Sequence, residues 1–387
     1  MKRRKISRKT DRGFTLVELL IAIAISLIVL AAGVTAFKKA MDVSAIALNR
    51  AEMQANARVA INSIARDLGE AGAGGFPYGG LGLPNGAAPF FARDTAGNNY
   101  LNNNTYGQGI LFAVTPAFNG GPTIDGITTD GITLVYVDQS LLSAACSNWS
   151  STQVTVDPTG TVITVPGTLC PALNDPVTGL SVGDMMIVSN ANGSAIGEVT
   201  GPFPTSPTEI DFAAGDPLGM NVPGAISGNI AGLANPPPAP PTPPPPAPIF
   251  PPTTISRIFM ISYFIQQLDA NGAPIPLAGA GTVAPNAVDY RLMRMVNGHT
   301  PVPVAEHIVN LKFSYDLMST IGTETSANPS AVVATLPVYR NIRNVYISVT
   351  SRSPHTINTP AGGNGYTYST MFTNVSPRNL SFKNRYN

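Results

Sequence analysis

The sequence predicts an α+β protein, in which one long N-terminal helix packs on a β-rich globular head with loop and Pro-rich insertions. Three features of the 387 residues support this fold class. Residues 14–37 are an apolar run with one charge, and residues 38–70 continue it with apolar side chains at helical spacing. Short β-branched segments between turns make up much of the remainder. Gly69 and Gly72 are expected to end the helix.

The run at residues 14–37 predicts a membrane-spanning helix. As a helix it is about 36 Å long, whereas a hydrocarbon core is about 30 Å thick. Residues 1–13 carry seven basic side chains and one acidic one. The positive-inside rule therefore keeps this leader in the cytoplasm, despite Lys38 and Lys39 behind the span. We expect a single-pass protein with its head outside the cytoplasm.

Charges are few and unevenly distributed along the chain. Charged residues make up 12% of it, and the net charge is +1, so removal of the +6 leader would leave −5. Residues 95–256 contain ten acidic side chains and no Lys or Arg, whereas residues 257–387 are net basic. This composition argues against a strongly basic nucleic-acid binder, and the single long apolar run argues against a polytopic membrane protein.

The run GFTLVELL at residues 13–20 closely resembles the class III leader of type IV prepilins and pseudopilins. The resemblance implies that prepilin peptidase cleaves between Gly13 and Phe14 and that the new amine of Phe14 is N-methylated. It also assigns subunit assembly to Glu18 and Thr15, with the Glu18 carboxylate pairing with the terminal amine of a neighbouring subunit. The alternative is a plain single-pass anchor with Glu18 near its end.

The helix is expected to continue to about Leu68, roughly 80 Å from Phe14. Its outer half carries one apolar stripe that should pack on the head. The stripe consists of Ile46, Met53, Ala57, Ile61, Ile64 and Leu68. A long helix with a head resembles the plan of pilins, and the segment 52–75, with several strings in the head, resembles the PilW-type minor pilins. Gly69 departs from the PilW-type pattern.

Strand candidates occur on both sides of a Pro-rich stretch, in head parts 71–234 and 253–387. In the first part, turn residues separate two pairs of β-rich pieces and predict two hairpins. The predicted strands and hairpins are 130–138, 154–165 and 182–200 in the first part, and 255–267, 290–295, 304–316 and 342–352 in the second.

Residues 235–252 contain twelve prolines, which exclude helix and central strand. We expect polyproline II, about 50 Å long if fully extended. The segment is interpreted as a stiff spacer or a loop insertion, with a ligand for a proline-recognising partner as the alternative.

Cys146 and Cys170 are the two cysteines of the chain, and both are expected outside the cytoplasm. A disulfide between them would close a loop of about 25 residues and stabilise the head by roughly 3 kcal/mol. Two free buried thiols are the alternative.

The sequence contains no P-loop, Rossmann fingerprint or Gly-x-Ser-x-Gly motif, so we expect that the protein is not an enzyme. His299, Glu306 and His307 match no known spacing of metal ligands, and no metal site is predicted. Acidic residues within 125–216 leave a Ca²⁺ site open, although no EF-hand spacing occurs.

Three functions remain, of which the resemblance favours a type IV pilus minor pilin that joins the priming or tip complex. The alternatives are a type II secretion pseudopilin similar to the J component and a pilus-tip adhesin. The implied partners are prepilin peptidase, other minor pilins, the major pilin, the inner-membrane assembly platform and, before assembly, membrane lipid. The implied location is the inner membrane, with a periplasmic head, and then the surface pilus that supports twitching motility and cell adhesion.

Overall fold

The computed structural model shows one long helix followed by a β-rich head, which confirms the predicted fold class. The helix, α1, spans Leu16–Glu70. The structure describes residues 13–84, 92, 100–101, 109–138, 150–151, 154–165, 172–175, 179–201, 208–222, 224, 228–234, 253–275, 277, 287–318, 324–327, 336–358, 364–377 and 380.

The strands of these described residues are numbered in chain order. They are β1 (Leu81–Gly82), β2 (Ile110–Leu111), β3 (Val114–Ala117), β4 (Thr123–Ile124), β5 (Ile127–Thr128), β6 (Gly131–Val137), β7 (Ser150–Ser151), β8 (Thr155–Val156), β9 (Val162–Thr164), β10 (Met185–Asn190), β11 (Gly193–Glu198), β12 (Glu209–Asp211), β13 (Thr253–Leu268), β14 (Pro274–Ile275), β15 (Asp289–Val296), β16 (Val302–Glu306), β17 (Ile308–Met318), β18 (Glu324–Ala327), β19 (Ile342–Arg352), β20 (Ile357–Asn358), β21 (Asn364–Gly365) and β22 (Tyr368–Val375). Short 3₁₀ helices span Ala73–Gly75, Ile230–Leu233 and Leu336–Asn341.

The end of α1 is joined to strand β6. The backbone N–H of Gly72 donates to the carbonyl of Val135 at 2.8 Å. Gly74 has a φ of 76°, and a Cβ at this position would lie 2.6 Å from the Cβ of Val137. A side chain at position 74 would therefore be strained by its backbone and would clash with β6. The glycines that the sequence places after the helix both stop it and let the chain approach the sheet.

A central antiparallel sheet, with nine strands among the described residues, is built on β13. On one edge β13 pairs with β10 and β15, and on the other edge with β7, β6 and β14. Strands β11, β16 and β3 extend the sheet outward. The sheet takes strands from both sides of residues 235–252, so the two head parts share one layer.

A second antiparallel sheet, which we call the C-terminal sheet, has the order β18–β17–β19–β22. One face packs along α1, where the Ser351 hydroxyl donates to the Met53 carbonyl at 2.8 Å. The prediction of one continuous strand over 304–316 is wrong. His307, with a φ of 57°, breaks the segment into β16 and β17. This left-handed turn sends β17 out of the central sheet and into the C-terminal sheet.

The main core lies between α1 and the two sheets. The outer half of α1 contributes the buried apolar side chains Met53, Ala57, Ala60, Ile61, Ile64 and Leu68. The predicted stripe is confirmed from Met53 onward, and Ile46 is half-buried. A second apolar cluster lies on the other face of the β10–β11 hairpin, around Ile163, Ile210 and Phe212.

A polar cluster fixes α1 on the central sheet. The Asp67 side chain, 4% exposed, accepts hydrogen bonds at Oδ2 from the Tyr263 hydroxyl and from Arg294 Nε, each at 2.7 Å. The Tyr263 hydroxyl also lies 2.9 Å from the Ser63 hydroxyl. Burial, together with the charge of Asp67, raises the pKa of Tyr263, so the phenol stays a donor. A buried carboxylate is tolerated here because the Tyr263 hydroxyl and the guanidinium groups of Arg294 and Arg66 all donate to it.

Replacing Asp67 with Asn should lower the free energy of unfolding by about 2–4 kcal/mol, because Arg294 would lose its charged partner in a partly buried position. Denaturant titration of the full chain in detergent measures this change. Arg66→Ala is the matched control, since Arg66 is 70% exposed and its contact with Asp67 should contribute no more than about 0.5 kcal/mol. Equal losses in the two variants would contradict the assignment.

His307 and Asp289 form a second ion pair, with Nδ1 and Oδ1 2.7 Å apart. The hydrogen bond that His307 donates to Asp289 raises the pKa of His307 against an opposing effect of burial, and the charges of Asp289, Glu52 on α1 and Glu306 add to the rise. Because the folded-state pKa exceeds that of the unfolded chain, protonated His307 stabilises the fold. This contribution is fully present below about pH 6.5 and disappears as the pH rises through the folded-state pKa.

His307→Asn should flatten this pH dependence. Asn tolerates the positive φ at position 307, so the backbone should be retained while the titrating charge is removed. The difference in unfolding free energy between wild type and variant should be largest at pH 6 and should shrink towards pH 8. A difference that stays constant across this range would show that His307 acts without its charge.

Candidate functional site: the N-terminal processing and assembly segment

The start of α1 brings together the residues that the leader resemblance singles out. Thr15 is the N-cap, with an extended backbone at φ −81° and ψ 150°, and α1 begins at Leu16. Phe14 precedes the cap and is 82% exposed. The helix therefore begins two residues beyond the predicted cleavage position, so the new amine would stand just outside the first turn.

Thr15 and Glu18 form a capping box. Oε2 of Glu18 accepts from the backbone N–H and the hydroxyl of Thr15, each at 3.0 Å, and the Thr15 hydroxyl oxygen accepts from the Glu18 N–H at 3.3 Å. Sequence reasoning paired the two residues for assembly but missed the cap, which the spacing Thr-x-x-Glu signals. In the isolated subunit, the cap gives the carboxylate local donors.

The capping box leaves the charge of Glu18 uncompensated. Hydrogen bonds from Thr15 solvate the carboxylate, but within the described residues no cation forms an ion pair with it. A negative charge at a helix N-terminus is favourable through the helix dipole, yet in lipid or in an apolar bundle it still favours a cationic partner. The site can therefore accept an amine from another chain.

Among the described residues, the first half of α1 packs against no other element. No residue from Leu16 to Ser44 is buried, and the segment is long and apolar enough to cross a membrane. Its exposed side chains are Leu, Ile, Val, Ala and Phe over most of that length. In water this surface would be costly, because burial of apolar area contributes about 25 cal/mol per Å². A bilayer or neighbouring helices must cover it.

Gly13 has no structural reason to be glycine. A Cβ added there would meet no atom within 4 Å, and the residue is exposed. The folded chain would accept alanine at this position without a clash. A requirement for glycine at position 13 would therefore have to come from an enzyme that handles the leader.

The histidines and Glu306 do not assemble into a metal site. Glu306 Oε2 lies 2.5 Å from Arg291 Nε, and His307 pairs with Asp289, so Glu306 and His307 serve separate contacts. In the part of the chain that the structure describes, no group of three or more His, Cys, Asp or Glu side chains is arranged to hold a metal ion. Cys146, Cys170 and residues 235–252 lie outside that part, so the disulfide stays a prediction.

Glu198 is a buried carboxyl that sequence reasoning did not single out. In the register of β11 it lies opposite Met185, on a face that also carries Ile196. Burial, with the charge of Asp216 as a smaller cause, raises the pKa of Glu198 to about 8. The group is therefore protonated at neutral pH, which removes the cost of a buried charge in a segment that contains no Lys or Arg.

Comparisons with known proteins agree with the site. Residues 8–34 match the family model described as the prokaryotic N-terminal methylation motif, which includes the leader junction and the apolar half of α1. No curated protein matches the chain, and no solved structure does. The matched motif, the exposed apolar helix and the β-rich head together support a membrane-anchored protein similar to type IV pilins and pseudopilins, with a leader of the kind that prepilin peptidase removes.

Proposed function

We propose that the chain is a minor pilin of a type IV pilus and that it joins the priming or tip complex that starts pilus assembly. The observation that carries this proposal is the division of α1 into two halves. The outer half is packed on the head from Met53 onward, whereas the inner half contacts none of it. Before assembly, the inner half of such a helix lies in the bilayer and the head lies in the periplasm. On assembly, the helix moves from the bilayer into a bundle of similar helices.

The terminal chemistry supports assembly rather than turnover. Cleavage after Gly13 would remove a net charge of +6 and create an amine on Phe14, one turn from the Glu18 carboxylate. Each mature subunit then presents one cation and one anion near the same depth. In an apolar bundle, two such charges are stabilised when the amine of one subunit meets the carboxylate of another. The protein would thus act as a structural subunit and not as an enzyme.

A place in an initiation complex is supported by the size and layers of the head. The head continues from residue 71 to the C-terminus and contains two large sheets and more than one apolar cluster among the described residues. A head of this size is difficult to repeat along a thin filament. The resemblance of the segment 52–75 to PilW-type minor pilins also supports a place in the initiation complex.

The leader prediction is tested with Gly13→Ala. The substitution should leave the fold unchanged, because the added Cβ meets no neighbour, and it should leave most of the chain with its leader. Intact-mass measurement in cells with an active prepilin peptidase distinguishes the two forms. Gly33→Ala is the matched control, since a Cβ at Gly33 also meets nothing within 4 Å and lies away from the leader. Normal removal of the leader from Gly13→Ala would refute the assignment.

The assembly role is tested with Glu18→Ala. Processing should be normal, whereas the amount of the protein in sheared pili should fall about tenfold or more, because the neighbour's amine would lack its partner. Glu52→Ala controls for loss of an exposed carboxylate elsewhere on α1 and should be incorporated normally. Normal incorporation of Glu18→Ala into pili would contradict the proposed assembly mechanism.

A deletion strain separates the pilus function from its alternatives. Loss of piliation and twitching is the expected result. A strain that still piliates and twitches but cannot secrete would identify a pseudopilin of a type II secretion system. A strain with normal pili that no longer adheres would identify a tip adhesin.

A further inference from the structure

The face of the C-terminal sheet that points away from α1 carries an open groove of about 600 Å³, which we call the outer groove. Two exposed aromatic rings line it, Tyr346 on β19 and Phe372 on β22, with exposed fractions of 40% and 75%. In the register Ser348 lies opposite Phe372, and Tyr346 lies opposite Asn374. The residues are therefore diagonal neighbours, about 7–8 Å apart at their backbones, and both line the outer groove.

The charges around the outer groove are already paired within the head. The Lys312 ammonium lies 3.0 Å from Asp130 Oδ1 and 2.7 Å from Asn119 Oδ1. Asp316 accepts from the hydroxyl of Tyr346 at 2.7 Å. The lining that remains consists of ring surfaces and of hydroxyl and amide groups, such as those of Ser348 and Asn374, which can donate hydrogen bonds. Among the described residues that line the groove, Lys312 is the one charged side chain and it is already paired with Asp130, so the groove suits an uncharged ligand.

The chain contains an uncharged segment of matching chemistry. Residues 235–252 include twelve prolines and no charged side chain. This composition favours polyproline II, an extended helix without internal hydrogen bonds, whose carbonyl groups remain available as acceptors. Aromatic-lined grooves bind such segments by placing proline rings between aromatic side chains, at a low cost in conformational entropy.

The described residues on either side of this segment leave and re-enter the head at one hairpin. The Leu233 carbonyl accepts from the side-chain amides of Asn190 and Asn192, at 3.0 and 3.1 Å. Thr254 pairs with Ser189 on the same hairpin, β10–β11. The described residues at both ends of the segment are thus held at this hairpin. With both ends held there, 18 residues with the 3.1 Å rise of polyproline II can extend at most about 28 Å from the hairpin.

The outer groove of the same chain is beyond this reach. Tyr263 lies beside Asp67 at the end of α1, and the ten residues of β13 from Thr253 to Tyr263 span about 33 Å. The C-terminal sheet runs from this level back along α1, as the contact of Ser351 with Met53 shows. The groove therefore lies farther from the described ends of the segment than the segment can extend.

We propose that residues 235–252 of one copy dock in the outer groove of a second copy, with prolines between Tyr346 and Phe372. The contact would hold two heads together by a polyproline ligand on one and an aromatic slot on the other. It requires two copies of this chain but not the proposed function, so it can fail or hold independently of pilus incorporation.

The test uses the full chain in detergent and a fluorescein-labelled peptide of residues 235–252. The receptor has its own 235–252 segment replaced by Gly and Ser of equal length, so that its groove is open. Fluorescence anisotropy should show saturable binding, and a peptide with the prolines replaced by Ala should bind at least about tenfold more weakly, because polyproline II is lost. Absence of saturable binding would overturn the proposal.

Variants locate the binding site. Phe372→Ser should weaken peptide binding about tenfold, because an exposed aromatic ring is a typical centre of binding energy, and its exposure makes misfolding an unimportant risk. Tyr368→Ser is the matched control, an exposed aromatic on the same strand face but outside the outer groove, and should bind within about twofold of the parent. Equal losses in both variants would overturn the assignment of the groove.

Sedimentation of the chain identifies which copy supplies the segment. Wild type should self-associate at concentrations near the peptide dissociation constant, whereas the segment-replaced variant and Phe372→Ser should remain monomeric. If wild type is monomeric and yet does not bind the peptide, its own segment occupies its own groove, and docking between copies is refuted.

Discussion

The fold depends on the carboxylate of Asp67, which joins the helix to the layer behind it. Three elements meet at this group: α1 supplies the carboxylate, β13 the Tyr263 phenol and β15 the Arg294 guanidinium. Apolar packing between a helix and a sheet is non-directional and permits sliding. The buried, hydrogen-bonded ion pair has one geometry, and it therefore sets where along α1 the head sits.

That position determines how the molecule can be used. Because the head begins to cover α1 only near Met53, the inner part of the helix remains an apolar surface that no described residue of the head buries. The same segment suits a bilayer and a helical bundle, since both replace water with apolar contact. The capped carboxylate of Glu18 is the one charged group near the start of this apolar segment. It offers a directional contact, whereas apolar packing alone would not fix how far neighbouring helices are shifted along each other.

The acidic and basic segments of the sequence form ion pairs with each other in the folded head. Residues 95–256 have acidic side chains without Lys or Arg, and the basic residues follow in 257–387. Arg257 lies 2.5 Å from Asp138 and 3.5 Å from Asp184, while Lys312 lies 3.0 Å from Asp130. Acidic groups of the first segment are thus neutralised by bases of the second, across strands that are far apart in sequence. These pairs are partly or fully buried, so solvent screens them less than it would on the surface.

The sequence by itself determined the long helix, its apolar and amphipathic halves, the N-terminal motif at residues 8–34, and the hairpins around Asp157 and Asn192. These features follow from local periodicity, turn residues and a short motif, each of which involves only residues close together in the sequence. Tertiary structure alone decided the break at His307, the burial of Asp67 and Glu198, and the ion pairs between the acidic and basic segments. Each of these depends on contacts between residues distant in sequence, where the packed environment overrides the local preference of a charged side chain for water.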